Sequence, residues 1–106
     1  MHTTAQRKYH RLIKQLNELG HVCNGSIKEM YRTCGKPGCP CAEDPEARHG
    51  PYFIWTGHHK GKPICRSLSK QQAADFRRCN RNYRKMKKLI EGLCEIVAEA
   101  ISKQTY

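Results

Sequence analysis

Residues 34–51, Cys-Gly-Lys-Pro-Gly-Cys-Pro-Cys-Ala-Glu-Asp-Pro-Glu-Ala-Arg-His-Gly-Pro, fit neither a helix nor a regular strand. Glycine and proline at this density break both kinds of backbone ladder, so the segment must take its shape from something else. It carries Cys34, Cys39 and Cys41 in a C-x4-C-x-C spacing, with His49 close behind. Gly35 and Gly38 permit the tight turns by which thiolates converge. Three sulfurs and one imidazole make the closed tetrahedral donor set of a structural zinc site. Three cysteines so close together are seldom packed in a core, and a C-x-C pair is too short to bridge without strain. The three cysteines carry this reading and His49 is the preferred fourth ligand. Cys65, Cys23, His58 and His59 compete for that place. Four protein ligands leave no open position for a substrate or an activated water, so the metal is read as structural and no catalytic residue is assigned.

The same stretch carries a resemblance. Gly25-Ser26-Ile27, Glu29, Tyr31, Cys34-Gly35-Lys36-Pro37-Gly38-Cys39, Cys41, His49-Gly50-Pro51-Tyr52 and Gly61-Lys62 resemble a family of small bacterial and archaeal proteins with a CGKPGCxC...HGPY signature. The likeness covers roughly residues 25 to 95. That family has no settled activity, and its members tend to occur beside transposase and other mobile-element genes. The resemblance implies the zinc ligands and the layout, and it hints at a mobile-element setting. It reaches neither the first helix nor the last turns.

A chain of 106 residues with 38% hydrophobic content is expected to be a single domain, 1–106, with a thin core. A metal would supply what the core lacks, since structural zinc contributes about 10–16 kcal/mol in small domains. The seven cysteines are an odd number, with no leader-like segment and no membrane-length apolar run, and the expected location is a reducing cytoplasm with no membrane association. Twenty Lys plus Arg against nine Asp plus Glu give a net charge of +11, which implies a polyanionic partner. The excess is concentrated. Residues 77–88 carry Arg77, Arg78, Arg81, Arg84, Lys85, Lys87 and Lys88 and no acid, whereas residues 89–106 hold Glu91, Glu95 and Glu99 against Lys103.

The hydrophobic pattern predicts an α+β fold. Residues 4–19 read as an amphipathic helix with Tyr9, Leu12, Ile13, Leu16 and Leu19 on one side, ended by Gly20. Residues 26–33, 51–56 and 63–68 read as strands, joined by the zinc loop and by a turn over 57–62, which gives a three-stranded antiparallel meander over 26–68. Ile27 and Tyr31 are expected to face the core. Phe53 and Trp55 share one sheet face, and Tyr52 and Ile54 share the other; one of these faces must pack on the helices, and the other could present aromatics beside Lys28, Arg32 and Arg66 for stacking on bases. The blander reading takes all these rings as core. His58 and His59 have no carboxylate near them in sequence and read as turn residues touching phosphate or solvent.

From the N-cap Ser69 a long helix is expected over 69–103. Phe76, Cys79, Tyr83, Met86, Ile90, Leu93, Val97 and Ala100 recur as a coiled-coil-like heptad seam. This assignment puts Arg77, Arg78, Arg81, Arg84, Lys85 and Lys88 on the outward face. The first helix is too short to cover the whole seam, so the reading expects a homodimer or another protein over Ile90 to Ile101, with an intramolecular helix hairpin as the alternative.

These readings converge on a non-enzymatic, zinc-containing accessory protein that binds DNA or RNA. Its expected contacts are Arg77, Arg78, Arg81, Arg84, Lys85 and Lys88 on the helix and Lys60, Lys62 and Arg66 on the hairpin. Its protein partner would be of the transposase or recombinase kind. The alternative is a protein–protein adaptor that uses the coiled-coil helix and the zinc module, its charge being incidental.

Overall fold

The computed structural model describes residues 2–103. In chain order it contains helix α1 (Thr3–Asn17), strands β1 (Ser26–Arg32), β2 (His49–His59) and β3 (Lys62–Leu68), and helix α2 (Lys70–Ser102). The expected α+β arrangement is present. The chain divides into two compact units, Asn24–Arg77 and Met1–Cys23 with Arg78–Tyr106, and α2 contributes residues to both. No helix among the described residues is long and apolar enough to cross a membrane.

In the first of these units the strands form an antiparallel meander in the order β1-β2-β3. The β2–β3 connection is tighter than the sequence suggests. β2 continues through His58 and His59, which pair with Pro63 and Lys62, so the six-residue turn expected over 57–62 shrinks to Lys60 and Gly61. Both central residues have positive φ, 52° and 78°, the geometry that lets a two-residue turn follow the strand twist.

Alternation along the strands gives the sheet two different faces. Ile27, Phe53, Trp55, Ile64 and Leu68 share one, by the register Ile27↔Trp55, Phe53↔Leu68 and Gly57↔Ile64. The first turns of α2 pack there. Trp55 meets Phe76 edge to face at 6.2 Å, Arg77 lies over the Phe53 ring at 5.5 Å, and Phe53 and Ala73 are buried. Arg66 pairs with Trp55 and so belongs to this face, whereas Lys28, with which it was expected to share a face, pairs with Ile54 on the other. The opposite face, with Lys28, Tyr52 and Ile54, has no helix on it within this unit. Tyr52 is 39% exposed, which also removes the reading that every ring is core.

Tyr31 corrects a second expectation. It is 53% exposed, whereas Met30 is half-buried. The two-residue alternation of β1 holds and keeps Tyr31 on the side of Glu29, but Tyr31 lies near the end of the strand, beyond the pair Glu29↔Phe53, at the register shift where three steps on β2 oppose two on β1. The Tyr31 hydroxyl instead donates to Glu29 at 3.3 Å.

The second unit is an antiparallel pair, α1 with residues 78–102 of α2. Leu12 sits against Gly92, where an added Cβ would lie 3.1 Å from its Cδ1. The expected stripe of α1 is half-buried throughout, and the helix ends at Asn17, two residues before the predicted Leu19. Leu89, Leu93 and Ala100 are buried on α2, but Ile90, assigned to the seam, is 45% exposed and Ile101 is 61% exposed. A straight helix drifts about 20° per heptad from a strict seven-residue repeat, so without a supercoiled partner the buried line leaves Ile90 for Leu89.

Two asparagines strap the segment after α1 onto α2. The Asn82 side-chain amide donates to the His21 carbonyl at 3.0 Å and that of Asn80 to the Cys23 carbonyl at 3.1 Å, while the Cys23 N–H donates to the Cys79 carbonyl at 3.2 Å. Asn80 is buried, and burial followed by the neighbouring Cys79 pushes the Cys23 thiol above its ordinary value.

At the start of α2, Ser69 acts as the expected cap. Its hydroxyl accepts from the Gln72 N–H at 3.1 Å and its own N–H donates to the Gln72 side chain at 2.9 Å, which together make a capping box.

Candidate metal centre

Between Arg32 and His49 the chain has no ladder to follow, and turns hold it instead. The Cys39 N–H donates to the Lys36 carbonyl at 3.3 Å, closing a turn with Pro37 and Gly38 at its centre. Gly38 has φ +78° and Gly35 φ +73°, so both use the left-handed freedom for which glycine is suited. Two short 3-10 turns follow, Pro40–Ala42 and Pro45–Ala47, each opened by proline. Asp44 caps the second by accepting from the Glu46 N–H at 3.0 Å. β2 then begins at His49, opposite Arg32 in the register.

These turns bring Cys34, Cys39, Cys41 and His49 together. One ligand atom from each lies within 4.8 Å of all the others. The Sγ atoms of Cys34 and Cys41 are 3.6 Å apart, and the Cys39 Sγ is 3.4 Å from the His49 Nε2. A tetrahedral ion with Zn–S near 2.3 Å and Zn–N near 2.0 Å would have edges of about 3.8 Å between sulfurs and about 3.5 Å from sulfur to nitrogen. The two observed separations fall close to these values. All seven cysteines are free thiols. The residues present therefore fit a metal ion, with every ligand supplied by the chain.

The surroundings suit an anionic donor set. The Cys34 N–H points at the Cys41 Sγ at 3.4 Å, and Cys41 is 2% exposed. Cys39 is half-buried, while Cys34 and His49 are exposed at the rim. Lys36 lies between Cys34 and Cys39, and Arg48 precedes His49, so basic residues flank the ligands in sequence.

The competitors for the fourth place are outside this group. Cys65 pairs with Thr56 on β3 and is approached by the Thr56 hydroxyl at 3.9 Å. His58 and His59 lie at the turn end of β2, whereas His49 opens the strand. Cys23 belongs to the helical unit.

The basic residues singled out in the sequence fall into two sets. Lys60, Lys62 and Arg66 are exposed on the β2–β3 hairpin, where the Arg66 guanidinium donates to the Cys65 carbonyl at 2.9 Å. Arg77, Arg78, Arg81, Arg84, Lys85 and Lys88 are exposed on α2. Sequence reasoning missed Asn80 and Asn82, because nothing local distinguishes a helical asparagine that bonds to a carbonyl some sixty positions away.

No curated protein and no solved structure matches the chain. A family model does, over residues 2–78, a span that takes in α1, the meander and the whole Cys3His group but stops at the beginning of the basic run. By that match the chain belongs to the family described as a domain of unknown function, DUF6788.

Proposed function

We propose that the protein is a non-enzymatic nucleic-acid-binding factor whose Cys3His centre holds zinc for structure, acting beside a transposase or recombinase in a reducing compartment. One observation carries the reading. Arg77, Arg78, Arg81, Arg84, Lys85, Lys87 and Lys88 are all exposed on one helix, and no acidic residue interrupts residues 77–88. A surface built only for solubility mixes its signs, and this one does not. Arg81 and Lys88 are seven residues apart, about 10.5 Å along the helix, a spacing that suits neighbouring phosphates. Zinc is favoured over other metals by the sulfur-rich tetrahedral donor set. The mobile-element setting comes from the resemblance of the signature residues.

Binding to duplex DNA or structured RNA should weaken steeply with salt, with a log–log slope of up to about −0.9 per phosphate contacted on B-DNA. Replacing Arg81 and Lys88 by Glu should lower affinity for all sequences and flatten that slope, while metal content and melting stay as they are. Wild-type protein that does not bind at physiological salt, or a charge reversal without effect, would remove this function.

A second reading, the adaptor, is favoured by a different observation. Ile90, Cys94 and Ile101 are exposed along one side of α2, with Val97 half-buried among them. A second copy or another protein would cover this stripe. Sedimentation that gives a dimer, dissociated by Ile90→Glu with Ile101→Glu, would support it, and a monomer at high concentration would count against self-association.

A further inference from the structure

We infer that the open face of the sheet is a stacking platform for an unpaired nucleic-acid strand, with Tyr52 as the ring that takes a base and Arg32 and Lys28 as its phosphate contacts. This rests on the nucleic-acid reading above and names the form of the partner. The open face carries Lys28, Met30 and Arg32 from β1 and Tyr52, Ile54 and His58 from β2, with the pairs Lys28↔Ile54 and Met30↔Tyr52 side by side. Its β3 positions, Pro63, Cys65 and Ser67, add no charge, so this face bears cations and no carboxylate. The one acid on the three strands, Glu29, pairs with Phe53 on the other face.

Tyr52 is built for contact more than for packing. It keeps 39% of its surface open, and the Arg32 guanidinium lies 5.2 Å from its ring centroid. Such a cation–π contact fixes the ring and leaves the guanidinium N–H groups free to meet a phosphate. Met30 and Ile54, both half-buried, give the ring an apolar surround. The position is also anchored. Arg32 pairs with the metal ligand His49, and Tyr52 follows His49 by three residues, so the centre that closes the loop also fixes the ladder under the platform.

A base inside a duplex keeps both ring faces in its own stack, so only an unpaired base can lie on Tyr52. Duplex would meet this face through phosphates alone. The platform therefore predicts a preference between strand forms, which the basic run of α2 by itself does not.

The test measures binding of the full zinc-loaded chain to a labelled oligothymidylate strand and to a hairpin duplex, at one salt concentration. Tyr52→Ala should lower affinity for the strand on the order of 5- to 150-fold and leave the duplex unchanged, as loss of one base stack would. Tyr52→Phe, which keeps the ring, should restore most of the affinity. Arg32→Gln should reduce the salt slope on the strand by about one phosphate. Ultraviolet crosslinking of unaltered protein to the same strand should label the peptide that contains Tyr52, a readout independent of whether a variant folds. The platform is overturned if Tyr52→Ala leaves strand binding unchanged, if it lowers strand and duplex binding equally, or if crosslinks fall only elsewhere. Wild-type protein that binds duplex but not the strand removes the platform alone. Protein that binds neither removes the nucleic-acid reading with it.

Discussion

The connection from Thr33 to Arg48 and the helix pair of α1 with α2 solve the same problem of a thin core in opposite ways. The connection has only short 3-10 turns, one deeply buried side chain, Cys41, and three cysteines that converge with His49 at the start of β2. The helix pair has continuous backbone ladders and a stripe of small contacts, Leu12 on Gly92 among them, yet α1 buries no residue fully. In the first, four residues placed to hold a metal ion would fix, through a few strong bonds, a chain that has no backbone ladder. In the second, many weak contacts hold a chain that is already helical. The difference teaches where the molecule is brittle: the loop should fail all at once, and the helices by degrees.

Removing the metal should therefore have the largest effect. A chelator, or Cys41→Ser, should abolish the fixed environment of Trp55 seen by near-ultraviolet circular dichroism, since about 10–16 kcal/mol of binding free energy is at stake. The helical signal should fall much less. Acid should act as the chelator does, because the ligands must be deprotonated to bind, so metal should leave as the pH falls. Equal loss of both signals would erase the contrast between the regions.

Leu93→Glu should act in the reverse direction. It places an uncompensated carboxylate at a buried position of the helix pair, at a cost of about 3–5 kcal/mol, and should lower the helical melting transition while the metal is retained. Metal loss in this variant would mean that the two regions do not fail separately.

Asn80→Ala tests the strap between the Cys23 carbonyl and α2. Losing a buried amide that bonds to the backbone should cost about 1–3 kcal/mol, measured by denaturant unfolding. Ser69→Ala should be smallest, about 1 kcal/mol, because only the cap of α2 is lost. A larger cost for the cap than for the strap would contradict the hydrogen-bond assignments.

Legibility in the sequence follows the same division. The Cys3His group was readable because its four ligands lie within one short segment whose glycines and prolines exclude other structures. The meander and Ser69 were readable for a similar reason, since strand alternation and capping are local. Errors entered where a distant partner decides. Tyr31 keeps the alternation of β1 but is exposed near the strand end, beyond the pair Glu29↔Phe53, and β1 alone does not show where its cover stops. Ile90 was misplaced because a heptad pattern presupposes a supercoiled partner, and the buried line follows the short helix α1 instead. Arg66 was grouped with Lys28 and Arg32, and only its pairing to Trp55 shows that it lies on the other face. Asn80 and Asn82 left no local trace at all.

The account turns on the four ligands acting as one zinc centre. Elemental analysis and native mass spectrometry of freshly purified wild type, His49→Ala and Cys65→Ser test that most directly. The account predicts one zinc per chain in the wild type and in Cys65→Ser, with zinc lost or easily chelated in His49→Ala. Wild-type protein without stoichiometric metal, an iron spectrum in place of zinc, or release by Cys65→Ser with retention in His49→Ala would contradict it.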